Sequence, residues 1–241
     1  MVVEYYERKP ILKGGLQMAV IPKPASTVVL MDDSSRIYLT RRPQSMKFMG
    51  GYYVFPGGGV EKEDAIYDTE FITDENIDRS FDRAYYIAAA RELFEEAGVL
   101  LCKRKDGTTV VLSEDSIQEY RRRLLNGEIS FLHILMKEEI YLHLESLTYI
   151  GQIITPSLYK IRFDTRFFLA RLPKGQTPKP DTHEISDTIW LSPEEALSAY
   201  ESDKILLAPP TIHTLKTMVN YFKGSPLKMP EFDVRDYKII L

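Results

Sequence analysis

Three glutamates within five positions, Glu92, Glu95 and Glu96 in Arg91-Glu92-Leu93-Phe94-Glu95-Glu96-Ala97-Gly98-Val99, are the residues of this chain best suited to chemistry. At helical spacing they share about 100° of arc, while Tyr86, Ala89, Ala90, Leu93 and Ala97 form a separate apolar stripe. Carboxylates at i, i+3 and i, i+4 repel one another, and a divalent cation that prefers oxygen ligands, Mg²⁺ or Mn²⁺, offsets that repulsion. The plainer alternative is a solvated acidic face, which is the commoner reading of an isolated Glu-x-x-Glu-Glu. Upstream, Phe55-Pro56-Gly57-Gly58-Gly59 is a glycine run. It is either an ordinary turn or a place where φ > 0 brings backbone close to a bound phosphate.

Together the two segments resemble the Nudix box: the first matches its Arg-Glu-U-x-Glu-Glu-x-Gly-U half, where U is a bulky aliphatic residue, and the second its strand-to-loop entry. The resemblance implies a Nudix hydrolase. Gly58 lies 33 residues before Arg91, about 19 more than the pattern allows, so the box carries an insertion. The first glutamate of the box, which orients the arginine in this family, cannot be placed by counting; Glu63 and Asp64 are its candidates. The metal set is untouched by the shift. The resemblance implies Glu95 and Glu96 as principal metal ligands, Glu92 as a further ligand or water-activating base, and Arg91 as a residue that pairs with box acids rather than with phosphate. A further acid from a distant loop is common in the family. Glu184 is the first candidate here, with Glu138 and Glu139 behind it.

Three further stretches resemble the branch containing the mammalian peroxisomal acyl-CoA diphosphatases, which also carry a long insertion in the box. They are Ile154-Thr155-Pro156 followed by Arg162-Phe163-Asp164-Thr165-Arg166-Phe167-Phe168-Leu169-Ala170, then Leu206-Leu207-Ala208-Pro209-Pro210, and Ala88-Ala89-Ala90 leading into the box. A CoA-specific Nudix motif is partly matched by Leu39-Thr40-Arg41, Lys47 and Gly51-x₃-Phe55-Pro56-Gly57-Gly58. Two departures stand out: lysine replaces an arginine, giving a point charge where a bidentate phosphate fork is usual, and one extra residue separates Thr40 from Lys47. The resemblance implies CoA or acyl-CoA as substrate. Cleavage would give 4′-phosphopantetheine, or its acyl form, and adenosine 3′,5′-bisphosphate. The alternatives are an ADP-ribose or dinucleotide polyphosphate pyrophosphatase and a nucleotide-sensing Nudix domain without catalysis. Gly57, Gly58, Gly59, Lys47 (helped by Arg41 or Arg42), Arg162 and Arg166 are the candidate substrate contacts. Arg162, Asp164 and Arg166 alternate onto one face of a strand, either as a substrate surface or as a mutually neutralising ladder.

The elements that must position these residues are legible. Residues 26–31 and 36–40 read as a hairpin around Asp32-Asp33-Ser34-Ser35, and 52–55 as a strand entering the glycine loop. Asp78 is a candidate cap for a helix running to Ala97, with Gly98 its stop. Residues 114–126 and 131–138 read as helices, 147–154 and 160–171 as strands, and 173–180 as a polar loop. Thr188-Ile189-Trp190 reads as a last strand before a helix opened by Ser192-Pro193-Glu194-Glu195, and 210–222 as a final helix. In the resemblance this order makes an α/β protein, a Nudix α/β/α sandwich with a mixed β-sheet between helices. It forms one domain over 1–241, with its core at about 24–223, the insertion at about 60–82 and a tail at 224–241. Ile66, Tyr67, Phe71 and Ile72 are expected to dock the insertion.

A length of 241 residues, 44% hydrophobic and 27% charged, suits one elaborated domain. A net charge of −4 argues against nonspecific nucleic-acid binding. The basic runs Lys103-Arg104-Lys105 and Arg121-Arg122-Arg123 read as solvated faces. One cysteine, Cys102, excludes an internal disulfide and fits a reducing compartment. The four histidines lack metal-ligand spacing. No leader pattern and no membrane-length apolar run is visible, and the final residues are not a Ser-Lys-Leu tripeptide. The expected setting is cytoplasmic, with a small-molecule nucleoside diphosphate derivative as partner, no membrane, and a homodimer possible.

Overall fold

The computed structural model describes residues 20–46, 49–66 and 70–237. The expected hairpin opens the fold: β1 (Lys23–Met31) and β2 (Ile37–Arg41) pair antiparallel. Its turn is fixed by the Asp32 carboxylate, which accepts from the Ser34 and Arg36 amides at 2.9 and 2.8 Å. The glycine loop then runs back over the hairpin, β3 (Tyr53–Val54) on β2 and β4 (Gly57–Gly59) on β1. The insertion supplies a 3₁₀ turn at Glu63–Ala65 and the strand β5 (Ile72–Thr73) before α1 (Ala84–Ala97).

Helix α1 starts later than the expected Asp78. Asp78 turns its carboxylate onto the Ser80 amide and Asp82 onto that of Ala84, both at 2.8 Å, the local bonding by which Asp competes with helix. The helix stops as expected, at Gly98 in the left-handed conformation (φ 67°), whose amide donates to the Phe94 carbonyl. A Cβ at Gly98 would also lie 3.1 Å from Ile117.

Next come β6 (Cys102–Lys103), α2 (Glu114–Leu125), α3 (Phe131–Glu138), β7 (Tyr141–His143), β8 (Thr148–Ile154), β9 (Phe163–Arg171), β10 (Asp187–Leu191), α4 (Pro193–Glu201) and α5 (Pro209–Phe222). Ser113 and Ser130 cap α2 and α3, and Ser192 with Glu195 forms a full capping box on α4.

The main sheet runs β10-β2-β1-β9-β8, with β3 and β4 attached to β2 and β1. It is mixed because β1 and β9 lie parallel, Val28 opposite Phe168, whereas the β1–β2, β2–β10 and β8–β9 pairs are antiparallel. Alternation along the central strands feeds two cores. Val28, Leu30, Phe168 and Ala170 pack under α1, α2 and α3, while Val29, Met31, Phe167 and Leu169 pack under α4 and α5. The fold is therefore the anticipated three-layer α/β arrangement. Cys102 is buried in the first core, and Trp190 packs on Tyr38 at 5.1 Å between ring centres.

The insertion is stitched into this body. Strand β5 pairs parallel with β7, which pairs antiparallel with β6, making a second small sheet. Phe71, Ile72, Ile77 and Phe81 pack against the first core. One expected anchor differs, Ile66, which is 60% exposed; Tyr67 lies outside the described residues.

On the other side the tail docks on α5 through His213. Its ring is buried, contacts Phe232 and Tyr237 edge-on, and bonds the Pro230 carbonyl through Nε2 at 3.0 Å and the Tyr237 hydroxyl through Nδ1. Burial lowers the imidazole pKa below its ordinary value, against the opposing Pro230 carbonyl. A folded-state pKa below the unfolded one gives stability that is complete above about pH 6.5 and lost as pH falls toward the folded value. Acidification from pH 7.5 to 5.5 is therefore expected to lower the hydrogen-exchange protection of residues 229–237, measured against the intrinsic exchange rate at each pH. Unchanged protection there would contradict a neutral, clamping His213.

Candidate active site

The site is organised around the Arg91 guanidinium, which is 3% exposed. Its Nε and Nη2 donate to the two carboxylate oxygens of Asp64, each at 2.9 Å, a bidentate fork. Nη2 also donates to the Gly59 carbonyl at 2.7 Å, and Nη1 reaches Glu92 at 3.0 Å and Glu95 at 3.1 Å. One cation thus ties the insertion, the glycine loop and the acidic face of α1 together. Between the two candidates for the displaced box acid, the structure places Asp64, 1% exposed, on the arginine, while Glu63 is exposed. The 3₁₀ turn explains the choice: Asp64 Oδ2 accepts the Glu61 amide at 2.8 Å and so points inward.

The glycine loop fits against the carboxylates. The Gly57 amide donates to Glu96 Oε2 at 3.3 Å. A Cβ on Gly58 would fall 2.5 Å from Glu92 Oε1, so only glycine leaves that carboxylate where it lies. Burial pushes Glu92 up to about 7, with Arg91 opposing, and raises Glu95 in the same way. Glu96 is raised well above the carboxylate range by burial and then by Glu92 and Glu184, with the Gly57 amide pulling the other way. Three crowded acids of this kind are the hard-oxygen donor set that suits Mg²⁺ or Mn²⁺. Among the described residues no three side chains already converge as an ion cage, because Glu92 and Glu95 both turn onto Arg91.

A second arginine fixes the end of α1. Arg121, from α2, is buried and donates to the carbonyls of Glu95 (2.8 Å), Glu96 (3.1 Å) and Lys179 (2.9 Å). The expected solvated Arg121-Arg122-Arg123 face is thus corrected. Arg122 faces solvent and pairs with Glu119 and Glu128, but Arg121 satisfies the orphan carbonyls of the acidic helix. Its position follows from the apolar stripe of α2, since Arg121 stands four residues from Ile117 and three from Leu124. The same helix end binds the loop that carries Glu184: Lys179 and Asp181 donate their amides to Ala97 and Glu96 carbonyls at 2.8 and 3.0 Å. That loop brings Glu184 into electrostatic range of Glu96.

The remaining candidates fall elsewhere. Glu138 and Glu139 sit at the C-terminal end of α3, where Glu138 accepts the Tyr120 hydroxyl and Glu139 is the helix cap. Arg162 precedes β9 and donates to the Thr155 and Val20 carbonyls at 2.9 and 2.6 Å, so the expected Arg-Asp-Arg row shrinks to one pair. That pair is Arg166 with Asp164, the guanidinium standing over the Phe81 and Tyr85 rings at 5.3 and 4.9 Å. Arg41 lies over Tyr53 and reaches the Gly51 carbonyl, while the charge of Arg42 is felt at Glu96. Lys47 is outside the described residues.

Residues 67–218 match the family model of the NUDT19 Nudix domain, more than half of the chain. The chain belongs to this Nudix family. It is 29% identical to nudix hydrolase 7 of Caenorhabditis elegans, over 79% of this chain and 58% of that one. It is 27% identical to the acyl-coenzyme A diphosphatase NUDT19 of Homo sapiens, over 80% and 62% respectively. The chain thus spans about three fifths of these relatives' length. A solved Nudix hydrolase from Alicyclobacillus acidocaldarius superposes with a TM-score of 0.74 at 26% identity, covering 88% of this chain and 99% of that one.

The assignment of Asp64 as the orienting acid of this Nudix site has a direct test. Asp64→Asn leaves a buried guanidinium half-paired and is expected to cost about 3 kcal/mol in denaturant unfolding. Glu63→Gln, on the exposed side of the same turn, should stay within about 0.5 kcal/mol. Equal effects would remove the distinction between the two acids.

Proposed function

We propose that this Nudix domain hydrolyses the diphosphate of a nucleoside diphosphate derivative with the help of Mg²⁺ or Mn²⁺, and that CoA or an acyl-CoA is its substrate. The observation that carries the reading is the complete Glu92, Glu95 and Glu96 set, held from one side by the Arg91–Asp64 fork and from the other by the Gly57 amide. Diphosphates repel an attacking water, so hydrolysis needs positive charge at the phosphates and an activated nucleophile. Glu92, Glu95 and Glu96 would hold the cation, which supplies charge neutralisation and lowers the pKa of water when bound.

The chain's own residues do the positioning. Arg91 sets the orientation of Glu92 and Glu95, Asp64 sets that of Arg91, and the bare Gly58 makes room for the Glu92 carboxylate against the glycine loop. Glu184, whose charge is felt at Glu96, is the candidate additional acid, and Glu92 is the candidate base. CoA as substrate is supported by relatives named acyl-coenzyme A diphosphatase, at 27% identity in human and 24% in Xenopus laevis, and by the partial CoA motif through Lys47. The cluster of Arg41 and Arg42 at the end of β2, on the glycine-loop side of the sheet, supports a polyanionic ligand there.

Two measurements test the reading. Glu95→Gln removes a ligand charge and is expected to lower turnover about a hundredfold while the unfolding midpoint is retained, and excess EDTA should abolish wild-type turnover. Full activity in either case defeats the metal assignment. For substrate, Lys47→Ala should lower kcat/KM for CoA about tenfold to a hundredfold and for ADP-ribose less, because ADP-ribose lacks the 3′-phosphate. Efficient turnover of ADP-ribose or a dinucleotide polyphosphate, with CoA and acyl-CoAs uncleaved, would discard CoA and keep the hydrolase.

A further inference from the structure

Arg91 donates to Glu92 and Glu95 but not to Glu96, whose carboxylate receives, among the described residues, the Gly57 amide alone, at the long distance of 3.3 Å. A buried carboxylate so sparsely bonded needs a further donor if one of its oxygens is to be aimed and the other held. The same corner of the core contains the opposite deficiency. Tyr38, on β2, is 1% exposed, and its hydroxyl is the one buried side-chain polar atom among the described residues without a hydrogen-bond partner. We propose that the Tyr38 hydroxyl is the donor that positions Glu96, holding one carboxylate oxygen when the other turns to the cation. The inference rests on the metal reading above. It makes Tyr38 a positioning residue, acting through Glu96 and not on substrate.

Three observations aim the hydroxyl at this acid. The first is topology: Tyr38 belongs to the core under α1, together with Leu93 and Ala97, which stand one turn before Glu96 and one residue after it. The second is a shared field. The charge of Glu96 acts on the phenol, and Arg121, bonded to the Glu96 carbonyl at 3.1 Å, feels both the phenol and the Glu96 carboxylate. Phenol, guanidinium and carboxylate therefore meet in one neighbourhood. The third is that the ring is fixed and its proton is kept. Trp190, the cross-strand partner of Tyr38, packs on the ring at 5.1 Å, and burial pushes the phenol up to about 12. The group thus remains a donor wherever the carboxylates are ionised. Thr188 is the competing neighbour. It is near enough to favour the ionised phenol, but without the geometry of a hydrogen bond. A buried hydroxyl left unpaired costs folding energy, and such a cost is retained where the group has work in a site.

The test is Tyr38→Phe, which keeps the ring against Trp190 and removes only the oxygen, with Thr188→Val as its companion. Mn²⁺ binding to the purified full chain is followed by loss of the free-ion electron paramagnetic resonance signal, and thermal unfolding is measured in EDTA. The dissociation constant for Mn²⁺ should rise about tenfold in Tyr38→Phe. Its Tm in EDTA should stay at or above that of wild type, because the oxygen removed had no partner to lose. Turnover should fall at limiting Mn²⁺ and return to within about twofold of wild type at saturating Mn²⁺. Thr188→Val should leave Mn²⁺ affinity within about twofold. Unchanged affinity in Tyr38→Phe, or a weaker affinity accompanied by a Tm lower by more than about 5 °C, overturns the assignment while the metal reading stands. Equal weakening by Thr188→Val hands the contact to Thr188 and overturns it too. A wild-type chain that takes up no Mn²⁺ overturns both readings at once.

Discussion

A single buried guanidinium sets the geometry of everything around it. Arg91 sits among four carbonyl or carboxylate partners, and each belongs to a different stretch of backbone or a different turn of α1: Asp64, Gly59, Glu92 and Glu95. Burial works to lower its pKa, but its acidic neighbours outweigh that and raise it, so the charge is permanent. A buried ion network of this kind adds little net stability, because desolvation consumes most of the Coulomb gain. What it does impose is registry. The glycine loop, the insertion and the acidic face cannot slide against one another without stranding a charge.

The acidic helix is held with equal care at its far end. Its last carbonyls point at the loop bearing Glu184, and Arg121 occupies the gap, bonding both the helix and Lys179. The field of the helix C-terminus is unfavourable to nearby anions, and the glutamates are close to it. A cation from α2 at that end softens the penalty, so two arginines bracket one cluster of acids. Both are deep in the protein, which leaves the glutamates as the groups free to respond to a ligand.

Much of this was legible from sequence, and the exceptions share a cause. The hairpin, α2, α3, the start of α4 at Ser192-Pro193 and the Gly98 stop were all expected, since each is written in residues within a few positions of one another. The glutamates and their glycine loop were found for the same reason. Asp64 could be narrowed only to a pair, because the insertion breaks the count that would place it, and the 3₁₀ turn that selects it is a weak local signal. Arg121 was hidden by its neighbours: a run of three arginines looks solvated until the helical phase puts the first on the apolar stripe of α2. Asp78 as a cap and Arg162 as a strand residue failed because nearby backbone groups claimed their side chains.

The separation between Asp64 and Arg91 is 27 positions along the chain, and without the extra stretch of about 19 residues it would be about 8. The chain entropy lost on closing a flexible loop grows only with the logarithm of its length, about 0.6 kcal/mol for each doubling. Lengthening this one therefore raised the closing penalty by only about 1 kcal/mol, less than a single well-made contact of Phe71 or Ile72 with the core returns. A segment could be spliced between the two halves of a catalytic motif without opening it, provided that it carried its own acid to the arginine and its own apolar residues to the body. Ancestry could thus vary the wall of the site while the charges at its centre stayed in place.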